Sequence, residues 1–236
     1  MFGVYLTFRC FSISGTFGQV EHVLLVGTAG AVKSSLKSRD RIKLGDVIAT
    51  SGSDSSPAYV YVHNSSTGSE ADDSVRTQKW SPKGKTLRKA LSQLERKTKD
   101  KHQFEMDWRK TQEQIKEQLD TSDTSRATES AISNHVPSVH FGGVGAGKHL
   151  AKNESTKRDL RAKFNVLGVD CGFQAVMESL EGNRKEDFAL VRVACDWQDG
   201  LESRNLHSDA ALRAATFTKL LISLLPRPRA DSDDEE

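Results

Sequence analysis

Apolar and polar positions alternate between two periods along the chain. Val23 to Val26 is an unbroken β-branched and leucine run bounded by Gly27, the pattern of a strand buried on both faces. Leu44 to Thr50 predicts a second strand, opened by the turn-prone Gly45-Asp46. The alternating Tyr59 to Val62 predicts a partly exposed third, after a Ser/Gly turn over 51–57. Residues 31–41 read as a basic loop and 63–73 as a polar one. Ser81-Pro82 then predicts a helix start, with Ser81 as N-cap and Pro82 in the first helical position. Leu87, Leu91 and Leu94, continued by Phe104, Trp108, Ile115 and Leu119, form a narrow apolar stripe in a charged helix or helical hairpin. A Ser/Thr/Asp-rich link follows over 120–134.

The second half repeats strand and helix signals. Strand character with glycines covers Val136 to Leu150, and a charged helix runs from Glu154 to Phe164 with Leu160 and Phe164 inward. Val166 to Val169 is a short buried strand, and Phe173 to Leu180 a helix ended by Gly182-Asn183. Phe188 to Ala194 is the last core strand, and Ser208 to Leu225 closes the chain with an amphipathic helix stopped by Pro226 and Pro228. Strands alternating with helices predict an α/β sheet. One domain over 1–226 is expected, with an acidic tail over 227–236 whose composition reads as disordered.

Composition narrows the function classes. The formal net charge of +2 in 236 residues gives no electrostatic case for nucleic acid. No apolar run reaches the length of a membrane span, and Arg9 interrupts the apolar stretch over 1–8. Cys10, Cys171 and Cys195 have no metal-binding spacing and read as reduced thiols, which suits a cytoplasmic protein. The seven histidines form no H-x-x-x-H pair, so no metal centre is expected.

Four segments carry chemistry. Gly27-Thr28-Ala29-Gly30 follows a buried strand, and such a turn either cradles a phosphate or ribose hydroxyl or simply reverses the chain. Residues 142–148, Gly-Gly-Val-Gly-Ala-Gly-Lys, match the G-x-x-x-x-G-K of a phosphate-binding loop. His149 stands where that loop needs Ser or Thr, and no long helix follows at once, so a Gly-rich turn admitting a ligand or strand is the alternative. Asp196 and Asp199 follow a strand of Val, Ala and Leu, where a carboxylate is either a general acid or base or a turn cap.

The order of these pieces resembles the purine nucleoside and uridine phosphorylase superfamily, which includes the methylthioadenosine/adenosylhomocysteine and AMP nucleosidases. The resemblance rests on Val-Gly-Thr-Ala-Gly at 26–30, Leu-Gly-Asp-Val-Ile at 44–48, Gly-Val-Gly-Ala-Gly-Lys at 143–148, Leu-Gly-Val-Asp-Cys-Gly-Phe-Gln-Ala-Val at 167–176 and Val-Arg-Val-Ala-Cys-Asp-Trp-Gln-Asp-Gly at 191–200. It implies a three-layer α/β/α fold around a mixed sheet, with residues 81–134 as a charged helical insertion, and assembly as a homo-oligomer. It implies a nucleoside or nucleotide ligand, no cofactor, and phosphate as a co-substrate in phosphorolysis. Asp196 matches the acid that protonates a departing purine; Thr28, with Gly27 and Gly30, matches the phosphate- or ribose-binding turn. Gly145, Gly147 and Lys148 match the turn beside the base, which accounts for the likeness to a phosphate-binding loop.

Three positions depart from the family pattern. Gly172 stands where the family places the Glu that grips the ribose hydroxyls, a loss worth about 2–3 kcal/mol. The family's first strands would precede Val23, where this sequence has a short leader, so a truncated relative is expected. Lys148 replaces an acid or amide near the base. The expected activity is cleavage of a purine N-glycosidic bond. The alternative from another class is a nucleoside sensor or interaction module with the 82–119 helix as contact surface, and a phosphate-binding-loop nucleotide binder is the third.

Overall fold

The computed structural model describes residues 20–32, 41–50, 52–53, 56–63, 76–120, 135–147, 150, 153–170, 172–196 and 206–226. The expectations for the leader, the 33–40 and 64–75 loops, the 121–134 link, Lys148, Cys171, Asp199 and the acidic tail lie outside them. Eight strands form one mixed sheet. In chain order they are β1 (Val23–Ala31), β2 (Val47–Ala49), β3 (Tyr59–Val62), β4 (Thr77–Trp80), β5 (Val139–Phe141), β6 (Gly143–Ala146), β7 (Val166–Asp170) and β8 (Phe188–Asp196). The helices are α1 (Thr86–Lys99), α2 (Lys101–Asp120), α3 (Glu154–Phe164), α4 (Gln174–Gly182) and α5 (Leu206–Ile222).

The sheet order is β4-β3-β6-β7-β1-β8-β2-β5. β1 and β8 are parallel neighbours, flanked by β7 antiparallel to β1 and β2 antiparallel to β8. The β8 run predicted as a core strand shows why both faces are apolar. Ala189, Val191, Val193 and Cys195 pack under α1, α2 and α5, while Phe188 and Leu190 join Met177 and Leu180 of α4 on the other face. Helices thus cover both faces of a mixed sheet, as the resemblance implies. α3 packs Leu160 and Phe164 against Val60 and Val166.

The sheet curls strongly. Flat strands ~4.8 Å apart would separate β2 from β7 by about 14 Å. Yet a β-carbon at Gly168 of β7 would sit 3.0 Å from Ile48 Cδ1 of β2. Ala31, Ile42, Ile48, Leu167 and Ala194 fill the resulting concavity.

Several expectations need correction. The helix after Ser81-Pro82 begins at Thr86, not Pro82. The Ser81 hydroxyl donates to Ser53 O instead of capping, and the amides of Lys83 and Gly84 donate to Glu186 O. The first-turn amide of Leu87 is capped by the carboxylate of Asp187, at 3.2 and 3.3 Å. Gly84 is what admits that carboxylate, because a β-carbon there would lie 2.3 Å from Asp187 Cβ. The helical pattern divides at Asp100, whose side chain accepts from Gln103 N at 3.2 Å and starts α2. Leu87, Leu91, Leu94, Phe104 and Trp108 are buried against β8 and α5, so the predicted stripe is one layer of the domain. β4 lies beyond the predicted elements altogether.

Candidate functional site

β1 does not turn after Val26. It continues as strand through Ala31, so Gly27 to Gly30 form ladder rather than a phosphate-cradling turn. Their partners on β8 run Gly27↔Arg192, Thr28↔Val193, Ala29↔Ala194 and Gly30↔Asp196, with a bulge between Ala29 and Gly30. Glycine-rich residues 143–146 are likewise strand β6, not a turn. A β-carbon at Gly145 would lie 3.0 Å from Val166 Cγ1 and 3.1 Å from Leu150 Cδ2, so that glycine admits the packing of these two side chains. Neither segment is a phosphate-binding loop.

These strands nonetheless bring the expected residues into one line. Gly145 pairs with Val169, Val169 with Gly30, and Gly30 with Asp196. The row crosses β6, β7, β1 and β8, and its members come from four distant parts of the sequence. Asp170 stands one residue beyond Val169, two strand spacings or about 10 Å from the backbone of Asp196. Asp196 ends β8, and its side chain lies outside the described residues. Thr28 is opposite Val193, which packs under the α1, α2 and α5 layer; Gly27 faces Arg192 on the other side of the sheet. The pleat therefore directs Thr28 away from Arg192. Gly147 closes β6 beyond Ala146, which pairs with Asp170.

The residue that sequence reasoning missed is Arg192. Its side chain is fully buried in an apolar strand, where a charge must be paired. That rule is the signal in Leu-Val-Arg-Val-Ala that could have found it. Arg192 Nε donates to Asp170 Oδ2 at 2.8 Å, and Nη1 donates to the carbonyls of Leu25 and Val191. The guanidinium stacks on the Phe173 ring, 4.4 Å from its centroid. Its Nη2 has no hydrogen-bond partner among the described residues. Asp170 is thus held in an ion pair with Arg192, which sets it apart from a free base.

Beside this pair the Phe173 amide donates to the Tyr59 hydroxyl at 3.1 Å, at the entry to α4. Burial, and then the neighbouring Asp170 carboxylate, push the Tyr59 hydroxyl well above the usual tyrosine range, so it stays neutral. Gly172 immediately precedes this turn, with nothing within 4 Å of where its side chain would start.

The fold as a whole is similar to known structures. No family model matches the chain, and no curated protein sequence matches it. Among solved structures, the futalosine hydrolase of Helicobacter pylori strain 26695 is similar with a TM-score of 0.51 at 15% identity, covering 91% of this chain and 72% of that one. A protein from Borrelia burgdorferi B31, assigned as a 5′-methylthioadenosine/S-adenosylhomocysteine nucleosidase and bound to adenine, gives 0.50 at 15% identity, covering 88% and 71%. The chain shares the fold of these two structures. Within that fold, the row from Gly145 to Asp196 lies where β1 and β8 end side by side, the kind of location at which open α/β sheets take ligands.

A separate groove lies elsewhere. It measures about 930 Å³ and is lined by Trp80, Lys83, Arg88, Leu180, Lys185 and Phe188, among others, at the amino end of β8. Three of its cations are engaged: Lys83 lies 3.8 Å from Glu186, Arg88 donates to Pro82 O, and Lys185 donates to Val20 O. The chemistry-bearing residues are at the other end of β8. No helix among the described residues is long and apolar enough to cross a membrane.

Proposed function

We propose that this protein binds a purine nucleoside or nucleotide where β1, β7 and β8 meet, and cleaves its N-glycosidic bond. The observation that carries the reading is the register row Val169–Gly30–Asp196, which pairs a glycine strand end with the backbone of Asp196 from the far end of the sequence. Cleavage leaves negative charge on the departing base, and a carboxylic acid at Asp196 neutralises it by giving a proton to the purine. Thr28 and Gly30, two residues apart on one face of β1, stand for the ribose or phosphate side, with Gly27 between them facing Arg192, and Gly147 stands for the base side. Phosphate or water is the acceptor of the sugar. The binding of adenine by the Borrelia burgdorferi protein of the same fold supports a purine ligand.

One observation favours a second reading, binding without turnover. Among the described residues no atom lies within 4 Å of the Gly172 side-chain position, and glycine itself offers no carboxylate to grip a ribose there. The two readings separate in one experiment. Thermal shifts with adenosine, inosine, uridine and AMP, each with and without phosphate, report the pocket. Base release is then assayed in the wild type and in Asp196→Asn. The first reading requires a stabilising nucleoside whose base is released, with release reduced by a factor on the order of 100 or more in Asp196→Asn. Stabilisation without release leaves the second. A cooperatively melting protein that shifts with none of the four ligands refutes both.

A further inference from the structure

On its β2 side, the end of β8 is held by a buried clamp that reaches back to α5. The turn before β2 bonds both polar groups of Ala194, two residues before Asp196. Gly45 N donates to Ala194 O at 2.7 Å, and Ala194 N donates to Asp46 O at 2.9 Å. Gly45 takes a φ of +88°, a conformation suited to glycine. The turn is fixed in turn by two buried groups. Asp46 accepts from the amides of Lys43 and Ser138, at 2.8 and 3.0 Å, and lies 3.0 Å from His140 Nε2. Arg213 of α5 packs on Gly45, whose β-carbon position lies 3.3 Å from the guanidinium carbon, and its Nη1 approaches Gly45 O at 3.4 Å. Asp209, one helical turn earlier, accepts from Arg213 Nε at 2.8 Å.

Both members of the Asp209–Arg213 pair are buried, at 6% and 5% exposure. A buried ion pair contributes little net stability over apolar residues of the same volume. Its geometry here does something an apolar pair could not, because the guanidinium fork joins a carboxylate on α5 to the β2 turn. α5 follows Asp196 in sequence and the β2 turn flanks it in space. Arg213 therefore ties together the two structures that bound the end of β8.

We infer that Arg213 is a positioning residue, which through Gly45 and Ala194 fixes the strand end carrying Asp196 for glycosidic cleavage. The inference rests on the proposed role of Asp196. A group displaced by about 1 Å from its reacting partner loses on the order of 100-fold in rate while binding persists.

The test compares Arg213→Met and Arg213→Lys with Leu180→Ala, a core deletion at the amino end of β8 that lowers stability without touching the clamp or the row from Gly145 to Asp196. Two readouts are taken on the folded protein. In the first, amide hydrogen exchange at Gly45 and Ala194 rises at least about tenfold in Arg213→Met relative to Leu180→Ala. In the second, kcat for base release falls on the order of 10- to 100-fold with KM within about twofold, Arg213→Lys does not restore it, and Leu180→Ala retains it. Equal exchange in Arg213→Met and Leu180→Ala overturns the clamp. Raised exchange with an unchanged kcat overturns the positioning role. A wild type that releases no base overturns the reading of Asp196 alone, and the exchange arm still decides the clamp.

Discussion

Two residues at the entry to α4 can be questioned directly. Gly172 has no atom of the described residues within 4 Å of its β-carbon position, so Gly172→Glu meets no obstacle from them at its β-carbon. If a ribose lies beside it, the new carboxylate adds a charge-assisted hydrogen bond, and nucleoside affinity rises by about tenfold or more in a thermal-shift titration. Unchanged affinity removes the ribose from this position. Tyr59 makes a prediction about pH. Its hydroxyl is held above the ordinary tyrosine range by burial and by Asp170, so the folded state keeps the proton that the unfolded chain loses near pH ~10. The folded state binds more protons than the unfolded state there, and stability falls as pH rises above that value. Tyr59→Phe should flatten the alkaline limb of a stability-versus-pH curve measured by denaturant unfolding. An equally steep limb in the variant would show that other groups set it. The same residue scale explains what the sequence hid at the site. Asp196, Gly27 and Gly30 are visible as local pattern, but the Arg192–Asp170 pair joins β7 to β8 across β1, and only register reveals it.

At the scale of elements, α1 owes its start to another part of the chain. Asp187 caps it from 100 residues away, and Gly84 leaves the room. Gly84→Ala places a methyl group in the position of Asp187 and should destabilise the fold by about 1–3 kcal/mol, read as a lower urea midpoint with unchanged slope. A midpoint equal to wild type would mean that the turn relaxes freely. This explains which elements were legible. α3 carries its own signals: Asn153 accepts from Thr156 N at its start, and Asn165 at φ +53° ends it. Its bounds, Glu154 and Phe164, are those predicted from the sequence. The start of α1 was misplaced because Ser81-Pro82 imitates a cap while the true cap is remote. The break at Asp100 was available as Asp100-x-x-Gln103 ahead of an apolar residue, a capping pattern masked by the continuous apolar stripe. β4, with the polar sequence Thr-Gln-Lys-Trp, is strand because β3 pairs with it, and edge strands need little apolar pattern.

For the whole molecule, strand directions matter more than any one element. The glycine segments at 27–30 and 143–146 imitate phosphate-binding turns, and both are ladder because their neighbours in the sheet recruit them. Alternation of strand and helix indicated the layers; the curl that brings Ile48 against Gly168 follows from cumulative twist, which no local window contains.

The pairing of β1 with β8 also sets an order of events in the life of the chain. Leu25 and Arg192 touch across 167 residues. At ribosomal rates of about 5–20 residues per second, a nascent β1 waits roughly 10–30 s before its parallel neighbour has been synthesised. For that interval one apolar strand edge at the centre of the future sheet has no partner, and the concavity beside it cannot close. Folding of this domain is thus tied to the completion of its carboxyl-terminal third, so a prematurely ended chain presents an open edge to chaperones and proteases rather than a smaller folded core.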